Sequence, residues 1–336
     1  MKLNRRQLLT LSSAAATCGA WPVLAQYNAQ SPAHVGVLIL GSAEQRDEVD
    51  RNLAKGLSEL GYVEGRNLVL ERRYADSQLD RLPAFAQEFA ARNFDAIVTT
   101  CTPTTRAASK ATSSIPIVMV AVADPVAASF VKSLARPGTN ITGRSSQSND
   151  IVPKMLDLYA QAVPRADPIG VLVNVNNAAQ EPLWRDTAQA ALALKLKLHR
   201  VDLRSSENPR GEDLAPAFER LAAARVRGVF MLPDDPISVI NRARIVALAQ
   251  QHRLPALYGA SEFPDAGGLM SYGENLGESA RLSARHVDRL LKGADAATLP
   301  VEQPTRFELV FNQKTARGLG LVIPRELLVL ADRVIE

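Results

Sequence analysis

Continuous apolar runs alternate along this chain with stretches in which apolar residues recur every three or four positions. Val35-Gly36-Val37-Leu38-Ile39-Leu40 is a run that suits a strand buried on both faces of a parallel sheet. Residues 46–60 then carry Val49, Leu53, Leu57 and Leu60 at helical spacing among charges, and Gly61 is a helix stop. The rhythm continues with strands over 68–73, 96–100 and 117–122 and helices over 82–91, 104–112 and 127–135. Arg136-Pro137-Gly138-Thr139-Asn140 is turn chemistry. The plan restarts at Ile169-Gly170-Val171-Leu172-Val173. Helices over 183–194, 213–224 and 237–251 then alternate with strands over 197–203, 228–232 and 256–258. Gly267-Gly268-Leu269-Met270-Ser271-Tyr272 reads as a short strand, 276–291 as a helix and 307–311 as a further strand.

Strand–helix alternation implies α/β architecture with parallel sheets, here two Rossmann-like lobes of similar plan. The join falls near 143–152, before a helix over 153–162. The tail is too short for a third domain, so it completes both lobes, and the hinge has several segments. Lobe one is expected over 33–145 with about 275–303, and lobe two over 146–274 with about 304–336. The 336 residues agree with about two domains, and a core of that size needs no disulfide or metal staple.

Charge changes the picture only at the start. The formal net charge is +4, and Lys2, Arg5 and Arg6 lie in the first six residues, leaving +1 for the rest. No clustered basic face is visible, which argues against nucleic-acid binding. After Met1-Lys2-Leu3-Asn4-Arg5-Arg6 an uncharged stretch runs from Gln7 to Val23-Leu24-Ala25, so residues 1–25 read as a cleavable export signal. A retained anchor is the weaker alternative, because Thr10, Ser12, Ser13, Thr17, Gly19 and Pro22 interrupt the stretch. Arg5-Arg6 fits a twin-arginine signal or two ordinary charges equally well. Ala15-Ala16-Thr17 is a poor lipobox before Cys18. Cleavage would leave Cys101 as the single thiol, with no internal disulfide. The cleaved chain is expected to be soluble and monomeric.

In open parallel sheets ligands bind beyond the carboxyl ends of the strands. The loops there supply Ser42, Glu44, Thr102, Thr104 and Asp124 in lobe one, and Asn174, Asn177, Asp234, Ser261 and Glu262 in lobe two. Thr102 and Thr104 stand where a helix begins, so their hydroxyls and nearby N–H groups could hold a carboxylate. Asp124, Asp234 or Glu262 could meet an ammonium. For any single residue, capping a helix is the more natural role. No nucleotide-binding glycine motif, serine-hydrolase elbow or metal-ligand histidine spacing occurs, so no cofactor or metal is expected. Cys101 could be a nucleophile, but lobe two has no cysteine, which excludes two-thiol chemistry of the racemase kind. Trp184 could stack a ligand ring or simply pack.

Several long stretches carry a family resemblance. They are Gly56-Leu57-Ser58-Glu59-Leu60-Gly61-Tyr62-Val63-Glu64-Gly65-Arg66-Asn67-Leu68, Ala111-Thr112-Ser113-Ser114-Ile115-Pro116-Ile117-Val118, Asp124-Pro125-Val126 and Ser133-Leu134-Ala135-Arg136-Pro137-Gly138-Thr139-Asn140-Ile141-Thr142-Gly143. Ala266-Gly267-Gly268-Leu269-Met270-Ser271-Tyr272-Gly273 and Asn312-Gln313-Lys314-Thr315-Ala316-Arg317-Gly318-Leu319-Gly320-Leu321-Val322-Ile323-Pro324 complete the set. With these motifs the sequence resembles the ABC-transporter substrate-binding proteins whose better-known members bind tryptophan and related amino acids. The resemblance implies a type I periplasmic-binding fold, two lobes on a three-segment hinge closing over a small ligand. It also implies a periplasmic location and a permease with its ATPase as partners, with no chemistry done on the ligand. The sequence departs from the family where Asn174-Val175-Asn176-Asn177-Ala178-Ala179 replaces an Asn-Pro-rich loop, and where Cys101 stands in a small-residue loop. The rival readings are a sensor protein for a membrane receptor and an isomerase using Cys101.

Overall fold

A computed structural model describes residues 31–42, 48–92, 94–204 and 213–336. The candidate Glu44 and the export segment 1–25 lie outside the described residues. Pro32–Glu336 forms one compact unit.

The chain opens with β1 (Ala33–Ile39), α1 (Glu48–Glu59), β2 (Leu68–Tyr74), α2 (Leu82–Ala91), β3 (Ala96–Thr99), α3 (Thr102–Ala111), β4 (Ile117–Val122) and β5 (Ile141–Ser145). These strands form a five-stranded sheet in the order β2-β1-β3-β4-β5, parallel throughout. Their apolar runs are continuous because both faces are covered. Val35, Val37 and Ile39 meet α1 on one face, and Leu38 meets Phe89 of α2 on the other.

The second sheet takes α4 (Ser148–Ala162), β6 (Ile169–Asn174), α5 (Gln180–Ala193), β7 (Leu198–Leu203), α6 (Leu214–Ala223), β8 (Gly228–Met231), α7 (Pro236–Ile240), α8 (Arg242–Gln251), β9 (Ala256–Tyr258), α9 (Glu262–Asp265) and β10 (Met270–Gly273). Next come α10 (Leu276–Leu291), β11 (Glu308–Asn312), α11 (Gln313–Gly318), α12 (Arg325–Leu330) and β12 (Arg333–Ile335). The sheet order is β12-β11-β10-β9-β8-β6-β7, and β11 runs antiparallel to β10. Among the described residues no helix is long and apolar enough to cross a membrane.

α10 belongs in space to the first lobe. Its Ala280, Ala284 and Val287 share one core with Val49, Leu53 and Leu57 of α1. Among the described residues the chain therefore passes between the lobes three times, from β5 to α4, from β10 to α10, and from α10 back to β11. The third crossing runs beside the first. Ser145 N donates to Glu302 O at 3.0 Å, and Glu302 N donates to Gly143 O at 2.9 Å. Arg144 ties them, with Nη1 2.9 Å from Glu302 Oε2 and Nε donating to Ser279 Oγ of α10 at 2.9 Å.

Two expectations are corrected. Residues 127–135 form turns, not a helix. Asp124 Oδ1 accepts from Val126 N and Ala127 N, and Ser129 adopts a φ of +59°, which ends any helical run. The helix expected over 237–251 is split into α7 and α8 at Asn241. A strand not anticipated, β5, occupies the expected join.

Candidate functional site

The carboxyl ends of strands from both sheets converge on one cleft, a cavity of about 150 Å³. Leu40, Thr100 and Ser146 follow β1, β3 and β5 of the first lobe. Asp234, Gly259 and Glu274 follow β8, β9 and β10 of the second. This is the position at which open α/β sheets bind ligands.

Of the residues singled out from sequence, Cys101, Thr102, Asp234 and Glu262 line the cavity. Thr102 heads α3 beside Cys101, so the amino end of that helix faces the cleft. Asp234 takes a left-handed φ of +57°, a conformation that Asp tolerates better than most residues. Its carbonyl accepts from Asn177 Nδ2 at 2.7 Å. Its carboxylate oxygens each lie 3.0 Å from Ser146 Oγ, which is itself 3.0 Å from Ser148 Oγ. Asp234 is half-buried, and burial pushes its carboxyl above the ordinary range against the pull of the two serines.

The other described candidates are not among the residues that line the cavity. Thr104 is buried, its hydroxyl accepting from Cys101 N at 3.0 Å and donating to Cys101 O at 2.8 Å. Asp124 is exposed and caps the turn described above. Asn174 donates to Asp235 Oδ1 at 3.0 Å, which with Ser238 Oγ at 2.6 Å fixes that carboxylate. Asn177 positions Asp234 without lining the cavity itself. Ser261 precedes α9, and Ser42 is half-buried next to Gly41, which does line the cavity. Trp184 packs on the second lobe's core with the Arg200 guanidinium 5.4 Å from its ring centre, away from the cleft.

Sequence reasoning missed Ser146, Ser148 and Glu274. Glu274 lies two residues beyond the strand read at 267–272, so the rule that loops after strands carry the site would have found it. The two serines follow β5, which the turn residues before it concealed. Glu274 is only 8% exposed, and among the described residues neither carboxylate oxygen has a hydrogen-bond partner. Ser279 Oγ pulls on it but donates to Val120 O at 3.2 Å and accepts from Arg144 Nε, so its proton is already used. Burial raises the Glu274 pKa to about 7; Ser279 and Arg144 oppose the rise and Asp234 adds to it. Apolar wall is supplied by Val49, Ile151, Met231, Phe263 and Leu276. Among the described residues no group of His, Cys, Asp and Glu has the arrangement of a metal site.

Two α/β lobes with a ligand-sized cleft at their strand ends, on a three-segment hinge, define a type I periplasmic-binding protein. The profile described as ABC transporter substrate binding protein matches residues 34–335, and the chain belongs to that family. It is 27% identical over 294 residues to the tyrosine-binding protein of Clostridioides difficile (strain R20291), covering 86% of this chain and 81% of that one. A crystal structure of a conserved domain protein from Vibrio cholerae superposes with a TM-score of 0.81 at 28% identity, covering 90% of this chain and 99% of the other. The structure of an ABC domain in complex with L-Trp from Streptococcus pneumonia gives 0.82 at 24% identity, covering 91% and 100%.

Proposed function

We propose that this chain is the extracytoplasmic ligand-binding component of an ABC importer and that its ligand is an α-amino acid with an apolar or aromatic side chain. The observation that carries the reading is the composition of the cleft wall. Carboxylates (Asp234, Glu262, Glu274) stand with an apolar surface opposite the amino end of α3. An ammonium pairs with the acids, a carboxylate with the helix end and hydroxyls, and a side chain with the apolar wall. The curated relative named for tyrosine and the neighbour solved with L-Trp support the same ligand class. Closure of the lobes about the hinge excludes water, so each ligand charge needs a partner. Residues 1–25 act as the export signal, and the loaded protein delivers its ligand to a membrane permease driven by an ATPase. No bond in the ligand changes in this cycle.

The test is a thermal-shift panel of the twenty amino acids. A ligand present at 100 times its dissociation constant stabilises the fold by about 2.7 kcal/mol, a melting shift of a few degrees. Asp234→Asn should cost about 2–5 kcal/mol of binding, because the ligand ammonium loses one of its acidic partners in a closed site. A shift with a sugar or a dicarboxylate, and with no amino acid, would sink the ligand assignment.

A further inference from the structure

Glu274 stands apart from the two aspartates of the cleft. Asp234 has Ser146 and Ser148, and Asp235 has Asn174 and Ser238. Glu274 is more than nine-tenths buried, lines the cavity, and has no hydrogen bond to either oxygen among the described residues. A buried carboxyl without a partner is costly, and a folded protein keeps one where something else completes it. Its position in the chain matters as much as its burial. Glu274 lies between β10 of the second lobe and α10 of the first, on one of the hinge crossings. Gly273 just before it has room for no side chain, since a Cβ there would come within 1.8 Å of Gly259 O, so the strand end that presents Glu274 is fixed in place.

We propose that Glu274 is the ammonium-recognition residue of this cleft, so that the feature the protein demands of a ligand is a protonated primary amine, and that the contact transmits occupancy to the hinge. The proposal rests on the amino-acid reading and sharpens it, for it ranks the amine above the carboxylate. A carboxyl with a pKa of about 7 is about half protonated at neutral pH. Docking of an ammonium favours the carboxylate, so the carboxyl O–H breaks and the proton leaves to solvent as the ligand enters. The charged groups acting on Glu274 are Arg144 of β5, which favours ionisation, and Asp234 of the loop after β8, which opposes it. An ammonium between Asp234 and Glu274 removes that opposition.

The experiment uses the full exported chain with the twenty amino acids, tyramine, tryptamine, the two arylpropanoates that lack the amine, and glucose. Calorimetry at pH 7 in two buffers of different ionisation enthalpy follows for whichever compounds bind. The expected result is that binders carry an ammonium and that Glu274→Gln weakens them at least 100-fold. The wild type should release about half a proton at pH 7 and lose about tenfold in affinity per pH unit below it, with the Gln variant nearly flat. An amino acid that binds wild type and Glu274→Gln within threefold overturns the proposal and leaves the amino-acid reading standing. A panel in which no ammonium compound binds overturns both. Proton release needs only the wild type, so it decides even if the variant fails to fold, and zero release at pH 7 counts against the proposal.

Discussion

Glu274 and Asp234 are two acids of one cleft held on different terms, and the difference sets how the ligand-free protein responds to pH. For Glu274 the folded pKa of about 7 lies above its ordinary 4.5. The native state therefore binds more protons than the unfolded chain between those values. Stability from this group is fully present below about pH 4.5 and is lost as pH rises through 7, a span worth about 3 kcal/mol. Asp234, also raised, adds in the same direction. The unliganded protein should thus melt lower at pH 8 than at pH 5.5. Glu274→Gln should remove most of that slope and melt higher than wild type at pH 8, as calorimetric scans across pH would read. A variant that binds poorly yet is more stable is the signature of a group kept for function.

At the scale of the element, β5 shows what was legible in the sequence and what was not. Strands such as β1, β4 and β6 are continuous apolar runs and could be read directly. β5 is Ile141-Thr142-Gly143-Arg144-Ser145, buried throughout although polar. Two of its polar side chains are satisfied by residues far along the chain: Thr142 Oγ1 by Leu299 O at 2.6 Å, and Arg144 by Glu302 and Ser279. No local pattern encodes partners that arrive so much later. The same limit applies to the site candidates. A Thr or Asn after a strand serves a cap as readily as a ligand, so Thr104 and Asn174 could not be separated from Thr102 by residue type alone. Gly143 is the tightest point of β5, with a φ of +124° and Met119 O 2.2 Å from where a Cβ would stand. Gly143→Ala should destabilise by at least about 2–3 kcal/mol, seen as a lower urea midpoint with little change in slope.

Across the whole molecule the crossings are bound into one joint, and Arg144 is its centre. The guanidinium is nearly buried, whereas Glu302 keeps 42% of its side chain exposed. Glu302→Gln removes the carboxylate that is ion-paired with this cation. After allowance for screening on the Glu302 side it should cost about 1–2 kcal/mol, measured by chemical denaturation. The same interleaving has a consequence for biosynthesis. On the ribosome the stripe of Val49, Leu53 and Leu57 emerges early, whereas Ala280, Ala284 and Val287, which cover it, come near the end. One of the leading lobe's two core layers is unfinished while the trailing lobe is being made, so it cannot snap shut behind the tunnel as a self-contained N-terminal domain would. A nascent chain wired in this way remains loose, and open to chaperones, until nearly its last residues have been joined.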